Sequence, residues 1–462
     1  MSSIFKLLFA VFILLLLPAN PGYAAVVTNV AAGDYWSFFL KSDGSLWAMG
    51  ENWFGQLGDG TENTSITPEQ IRASGVTEVS GGGSQTLVLE SDGSLWGMGD
   101  NSGGELGLGP NIFWELTPTL VIPGNVNGIS AGEYHSLFFK TDGSLWGMGD
   151  NDDGSLGDGT TNTSPNPFAP HVTIPEEIVS NNVTAVASGF DHSLFLKADG
   201  SLWAMGYDES GELGDGQADI GTNTPIEIVS SNVTAIAAGN NHSLFLKSDG
   251  SLWAMGDNEF GQLGDGTPNS ACTIPEKIVS SNVTAIVAKG DFSLFLKSDG
   301  SLWGMGDDSH GQLGTTGLIN PVFNPTPQEI ITNGVIAVAA GQQHVIFLKV
   351  DHSVWTMGMN NYSQLGNGTN TDSYVPVEIV SGIAIPAICS ISLSGPNLVL
   401  NGSNGQAGAT YCVLMSSNLT KPLRQWTAVS TNALSAPGDF SIIATNAVNP
   451  GRPQQFYVLQ MQ

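Results

Sequence analysis

One tetrad, Trp-x-Met-Gly, occurs seven times in this chain. Its tryptophans are Trp47, Trp96, Trp146, Trp203, Trp253, Trp303 and Trp355, spaced by 49, 50, 57, 50, 50 and 52 residues. A fixed period of this length means a stack of like supersecondary units, each too small to bury its own apolar faces. The copy starting at Val233 shows the unit. Val233–Ala238 is a run of small and β-branched residues closed by Gly239, and Ser243–Lys247 is a second apolar run. Asp249-Gly250 is a hairpin turn, in which glycine supplies the positive φ. Ser251–Met255 returns as a third strand, the glycine-rich segment Gly256–Gly266 follows, and Ile274–Val279 is a fourth strand.

Strands two and three carry large residues on both faces, Leu244 with Phe245 and Leu252 with Trp253. A sheet wet on one face would alternate instead. Four such strands in about fifty residues form one propeller blade, covered on both faces by its neighbours. Glycine supplies 59 of 462 residues and charged side chains only 12%, which suits short strands and tight turns. The expected architecture is all-β, a seven-bladed β-propeller over residues 25–384 followed by a small sandwich-like β-rich module over 385–462. The seventh copy reads Asp351-His352 where the others have Asp-Gly, so His352 is expected in the left-handed region.

The strings His242-Ser243-Leu244-Phe245-Leu246, Asp249-Gly250-Ser251-Leu252-Trp253-Ala254-Met255-Gly256 and Gly261-Gln262-Leu263-Gly264-Asp265-Gly266 resemble the repeat of the regulator of chromosome condensation family. The resemblance spans about residues 25–382 and implies a seven-bladed ring with a central channel. A WD-type repeat would end in Trp-Asp and a kelch repeat would carry a double glycine. The family's guanine-nucleotide exchange and chromatin binding are disfavoured here, because no motif for their functional residues is present. Secreted bacterial members of this type inhibit an extracellular enzyme by covering it with one face, so enzyme inhibition is one alternative.

Residues 1–24 read as a signal peptide. Lys6 precedes the apolar run Leu7–Leu17, and Gly22-Tyr23-Ala24 supplies small residues before a cut after Ala24. Eleven apolar residues are too few for a span of about twenty. The expectation is export to the extracellular space, cell surface or periplasm, with no membrane insertion. The formal charge of −29 opposes nucleic-acid binding and anionic membrane surfaces and suits a basic partner.

No nucleophile elbow, phosphate loop or metalloprotease motif is present. The reading is therefore a non-enzyme with no cofactor and no metal. Paired carboxylates for glycan processing select no particular pair. Four copies place a histidine before strand two, at His135, His192, His242 and His344, where the others have Trp36, Gln85 and Phe292. Equivalent points on separate blades are too far apart for one ion, so these are read as structural, bonded to neighbouring backbone. Asp150-Asn151-Asp152-Asp153-Gly154 resembles part of a calcium loop, and is read as a turn. Of three cysteines, Cys272 stands in a loop, and Cys389 and Cys412 are close enough in sequence to pair or to remain free.

Function is expected where the copies disagree. Each loop after Trp-x-Met-Gly has two variable residues, and the regular repeat places all seven pairs on one rim. Blades seven and one become neighbours on closure, so Trp53, Phe54 and Tyr362 are expected in one aromatic patch, with an acidic arc on blades three to five. Phe113, Trp114 and Phe260 are further candidates, with Phe168 and Phe323 in two longer insertions. Exposed aromatics anchor protein interfaces, so a protein partner is expected on this rim. In the module, Ile391–Leu400, Thr410–Met415, Trp426–Ser430, Phe440–Ala444 and Phe456–Gln460 read as strands. The segment is similar to C-terminal modules of secreted bacterial proteins, which implies surface display or glycan contact.

Overall fold

The computed structural model describes residues 25–161, 172–314 and 323–382, and in the C-terminal part 387–394, 397–405, 410–416, 427–433, 438–445 and 456–461. The signal-peptide segment, Phe168 and Trp426 lie outside the described residues. The described residues form strands and no helix. One compact unit runs Ala25–Ser381, and Gly382–Gln462 belong to a second.

In the first unit the described residues form seven four-stranded antiparallel sheets, each taking its strands from a single repeat in the order 1-2-3-4. First strands neighbour one another around the ring and enclose the channel. The ring closes by packing, without exchange of a strand. Val27, Val30, Phe39 and Met49 of blade one share a core with Ile346, Leu348 and Val354 of blade seven. His352 has φ 64°, the expected left-handed conformation, and its Nδ1–H donates to the Val27 carbonyl at 2.7 Å across that seam.

Blade five explains the repeat. Its strands are Val233–Ala238, His242–Lys247, Leu252–Gly256 and Cys272–Val279. The fourth therefore starts two residues before the sequence reading, and Cys272 opens it. Phe245 stacks on Trp253 at 5.9 Å, and Phe295 and Met305 of blade six complete the core on that blade's face. At the turn, Asp249 accepts from the Ser251 amide and hydroxyl, and the Trp253 indole N–H donates to the same Ser251 oxygen. Gly250 has φ 78°. Lys247 lays its ammonium 4.2 Å from the Trp253 ring, a cation–π contact. Blade two shows why this slot matters. Glu90 replaces the lysine, and Arg72 from blade one covers Trp96 while pairing with Glu90.

The Asn-x-x-Gly string is a staple. Asn258 is fully buried; its Oδ1 accepts from the Leu263 amide and its Nδ2 donates to Asp265 and Thr267. Asn151 makes the same bonds to Leu156, Asp158 and Thr160, and Asp150 accepts from the Asp152 amide. The calcium-like string is thus consumed by its own turn.

Among the described residues the module forms two three-stranded sheets. The single strand read over Ile391–Leu400 is two, Ala387–Ser394 and Asn397–Gly405, which pair antiparallel with Ser394 opposite Asn397. Cys412 is a free buried thiol 3.2 Å from the Thr431 hydroxyl, and the Cys389 side chain lies outside the described residues.

Candidate functional site

Each blade presents two loops on one face of the ring, joining strands one to two and three to four. Backbone bonds tie the pair together: Glu51 N to Tyr35 O, Asp100 N to Ser84 O, Asp307 N to Asp291 O. We call this the loop face; the Asp-Gly turns occupy the other, the turn face.

The loops of adjacent blades are joined by a buried relay. His242 Nε2 lies 2.9 Å from Ser293 Oγ of the next blade, and that hydroxyl donates to the Gln262 carbonyl. The hydroxyl proton is committed to the carbonyl, so the histidine donates from Nε2. Burial lowers the His135, His242 and His344 pKa to about 3 and that of His192 to about 4. The same relay joins His135 to Ser193, His192 to Ser243 and His344 to Ser37. The histidines were expected to bond neighbouring backbone directly; they reach it through a hydroxyl, because the ring stops one hydrogen bond short of the loop. Where blade six has Phe292 in the histidine slot, blade seven has Val345 in the serine slot, both fully buried. Donor and acceptor are dropped together, so neither is stranded. The ring also explains the glycine that ends strand one, since a Cβ on Gly239 would sit 2.2 Å from His242.

On this scaffold the loop face carries the variable aromatics. Trp53 is 57% exposed and meets Tyr362 edge-on at 5.4 Å. Tyr362 also touches Tyr35 at 4.9 Å. Phe54 stands beside Trp53, 38% exposed. Gly55 packs on the Leu116 backbone, two residues past Trp114, so the exposed Phe113 and Trp114 continue the patch onto blade two. The structure therefore brings blades seven, one and two together. Phe260 is half-buried on blade five, separate from that patch, and Phe323 is half-buried at the start of a fourth strand.

A family model described as the RCC1-like domain matches residues 115–408, and models of the regulator of chromosome condensation (RCC1) repeat match 43–89 and 27–56. The chain belongs to the RCC1-like family. No curated protein matches it. Among solved structures, human WBSCR16 shares 21% identity with a TM-score of 0.65, covering 73% of this chain and 95% of that one. Prp20p from Saccharomyces cerevisiae shares 21% identity with a TM-score of 0.64, covering 75% and 88%. Yeast RCC1 (Prp20) bound by Kap60 gives 21% and 0.63, covering 77% and 84%. At this identity the likeness is one of fold.

Two features of this RCC1-like ring escape a reading of the loops alone. Tyr35 and Tyr134 sit in the first loop of their blades, and Tyr134 meets Phe190 edge-on at 5.1 Å. Their signal was present, as aromatic residues just before strand two. The second feature is Lys289. It stands in the glycine slot of blade six and extends strand one to Lys289, paired with Phe292. Its Nζ reaches Asp34 of blade one at 2.7 Å and Glu133 of blade three at 3.8 Å. Only a blade without the histidine ring has room for it.

Carboxylates dominate the rest of the face. Burial pushes Asp191 up to about 7, and Asp153, Asp150 and Asp152 push the same way. Burial raises Glu51 to about 7, with Asp34 adding to it. Asp291 is raised to about 6 by burial and by Asp257, Asp307 and Glu259. On the turn face a recess of about 480 Å³ includes Glu78, Glu90 and Asp92. Glu90 is engaged by Arg72, and Asp92 belongs to the repeated turn network. That leaves Glu78, raised to about 7 by burial, without a paired carboxylate of its own there.

Proposed function

We propose that this chain is an exported, non-enzymatic RCC1-like propeller that captures a protein partner on its loop face, with Trp53 and Tyr362 at the centre of the contact. The observation that carries the reading is their edge-on pair at 5.4 Å, held by two different blades with Trp53 left 57% exposed. A tryptophan kept in water by a rigid loop costs solvation and gains nothing in the core. Such residues are the usual anchors of interfaces. Phe54, Phe113 and Trp114 extend the anchor, with Phe260 as an outlying contact.

Three facts support the reading. The repeats spend their Trp, Asn, Ser and Gly residues on scaffold and differ most in these loops. Yeast Prp20p is described by its binding to Gsp1p and histones, and a second structure has it bound to Kap60, so a ring of this fold serves protein capture there. The charge of −29 opposes a polyanionic ligand. Export rests on Lys6, the apolar run Leu7–Leu17 and the small residues ending at Ala24.

The test is affinity capture with the full chain followed by mass spectrometry, repeated with Trp53→Ala and Tyr362→Ala together. Capture of the recovered partner should be abolished with the melting temperature unchanged. Undiminished capture by the double variant would sink the proposal.

A further inference from the structure

The loops joining strands one to two meet at the loop-face end of the channel, where backbone bonds link the tips of adjoining blades. Asp34 N donates to Gly82 O at 3.1 Å, Glu133 N to Gly189 O at 3.1 Å, and Gln342 N to Asp34 O at 3.0 Å. Among the described residues the junction of blades six and seven has no bond of this kind, and Lys289 stands there. Six blades hold glycine at this position; blade six alone holds a lysine. The ammonium crosses the mouth to Asp34 of blade one at 2.7 Å and to Glu133 of blade three at 3.8 Å. Blade three is as far from blade six as a ring of seven allows, so one lysine and one glutamate side chain span the mouth between them. The Lys289, Asp34 and Glu133 side chains are 14%, 4% and 15% exposed, which means that the space around them is filled.

Each acid that meets the ammonium is followed in the chain by a tyrosine of the loop face. Tyr35 follows Asp34 and packs on Tyr362 at 4.9 Å, and Tyr362 meets Trp53 at 5.4 Å. Tyr134 follows Glu133, is exposed, and meets Phe190 at 5.1 Å. Two aromatic clusters result, one on blades seven and one and the other on blades three and four. Backbone bonds extend the hold to the neighbouring loops, from Glu51 N to Tyr35 O at 3.0 Å and from Asp150 N to Tyr134 O at 2.9 Å. A buried ion pair is a poor source of net stability, because desolvation offsets the attraction; what it fixes is geometry.

Resting on the interaction reading, we infer that Lys289 is a clamp: a positioning residue that closes the channel mouth and fixes the spacing of the two aromatic clusters a partner meets. It acts through the Asp34-Tyr35 and Glu133-Tyr134 loops. The Trp53–Tyr362 and Tyr134–Phe190 pairs are thereby presented as one rigid surface. A partner that touches both finds them already placed, so little affinity is lost to ordering the loops.

Amide hydrogen exchange of the full chain, read by mass spectrometry, tests the clamp without a partner. Lys289→Met removes the ammonium. Lys289→Met with Asp34→Asn also removes the stranded charge, so the loops lose their clamp while most of the stability returns. Melting curves verify folding of each. Both variants should speed exchange over residues 33–36 and 132–135 by at least about tenfold, and over the blade-five loop 261–266 by less than about twofold. Glu133→Ala, a milder change, frees the blade-three loop and should speed exchange over 132–135 alone. Lys289→Arg keeps a cation and should match the parent. Affinity for the partner recovered by capture should fall about tenfold in both Met variants and less than about twofold in Lys289→Arg. Parent-like exchange in the double variant, or equal acceleration of all three segments, overturns the inference, because either leaves Lys289 a contributor to stability alone. Loosened loops with undiminished partner affinity overturn it as well. If capture survives Trp53→Ala with Tyr362→Ala, the interaction reading fails by itself, and the exchange rates still decide whether the clamp exists.

Discussion

Lys289 Nζ lies 2.7 Å from Asp34 Oδ1, joining blade six to blade one, and the same ammonium faces Glu133 of blade three. Asp34 is 3% exposed, so this is a buried ion pair. Burial pulls the Lys289 pKa down, but Asp34 and Glu133 more than offset it and leave it raised. The ammonium is therefore held charged against two carboxyl groups from blades that do not adjoin its own.

Removing that ammonium strands a buried carboxylate. Lys289→Met should lower stability by about 3–5 kcal/mol, read as a fall in the urea midpoint. Adding Asp34→Asn should recover most of the loss, since the orphaned charge is gone. A Lys289→Met chain as stable as the parent would show that the pair holds nothing together.

The His–Ser relay can be exchanged for the apolar pair already used between blades six and seven. Ser293→Val alone leaves the His242 N–H without an acceptor and should cost about 1–3 kcal/mol. His242→Phe with Ser293→Val reproduces Phe292 and Val345 and should cost less than Ser293→Val alone. A double-mutant cycle by urea denaturation measures the coupling. Additive losses would contradict a shared role.

Stability should peak near pH 5, where the two opposing sets of shifts balance. The buried histidines titrate at about 3 to 4 when folded and at their ordinary 6.5 when unfolded. The unfolded chain then binds more protons, so stability falls as pH drops below 6.5 towards 3. The buried carboxyls behave oppositely. Burial raises Glu51, Glu105 and Asp191 to about 7 and Glu133 and Glu212 to about 8. The folded chain then holds protons the unfolded chain has released, so stability falls as pH rises from about 4.5 through 8. Melting temperatures from pH 4 to 9 should trace a maximum with both limbs.

Glu105 offers a way to flatten the alkaline limb. Its counterparts Gln262 and Gln312 donate from Nε2 to Asp257 and Asp307 at 3.0 and 2.8 Å. Glu105 is buried beside Asp100 and must keep a proton to do likewise. Glu105→Gln should stabilise the chain by about 1 kcal/mol at pH 8 and change little at pH 5. A gain independent of pH would point to another cause.

Much of this was legible beforehand because the environment of each repeat position recurs. Trp253, Ser251 and Asp249 contact one another within one hairpin, so their pattern marks the blade wherever it appears. His352 in the left-handed region followed from its replacing glycine in a known turn. The relay was half visible: the histidine column could be seen, while its serine partners lie in the next copy and merge with an ordinary strand pattern. The Ile391–Leu400 reading failed because an apolar run with a Gly-Pro break looks like one strand when its ladder partner is unknown.

The chain's own sequence thus determined the seven blades, their strands and turns, and which loops vary, since these depend on contacts between residues near one another in a repeated unit. The tertiary structure alone decided that Trp53 touches Tyr362 and that Lys289 meets Asp34. Those relations join residues from different blades, and their energies exist only once ring closure sets the distances.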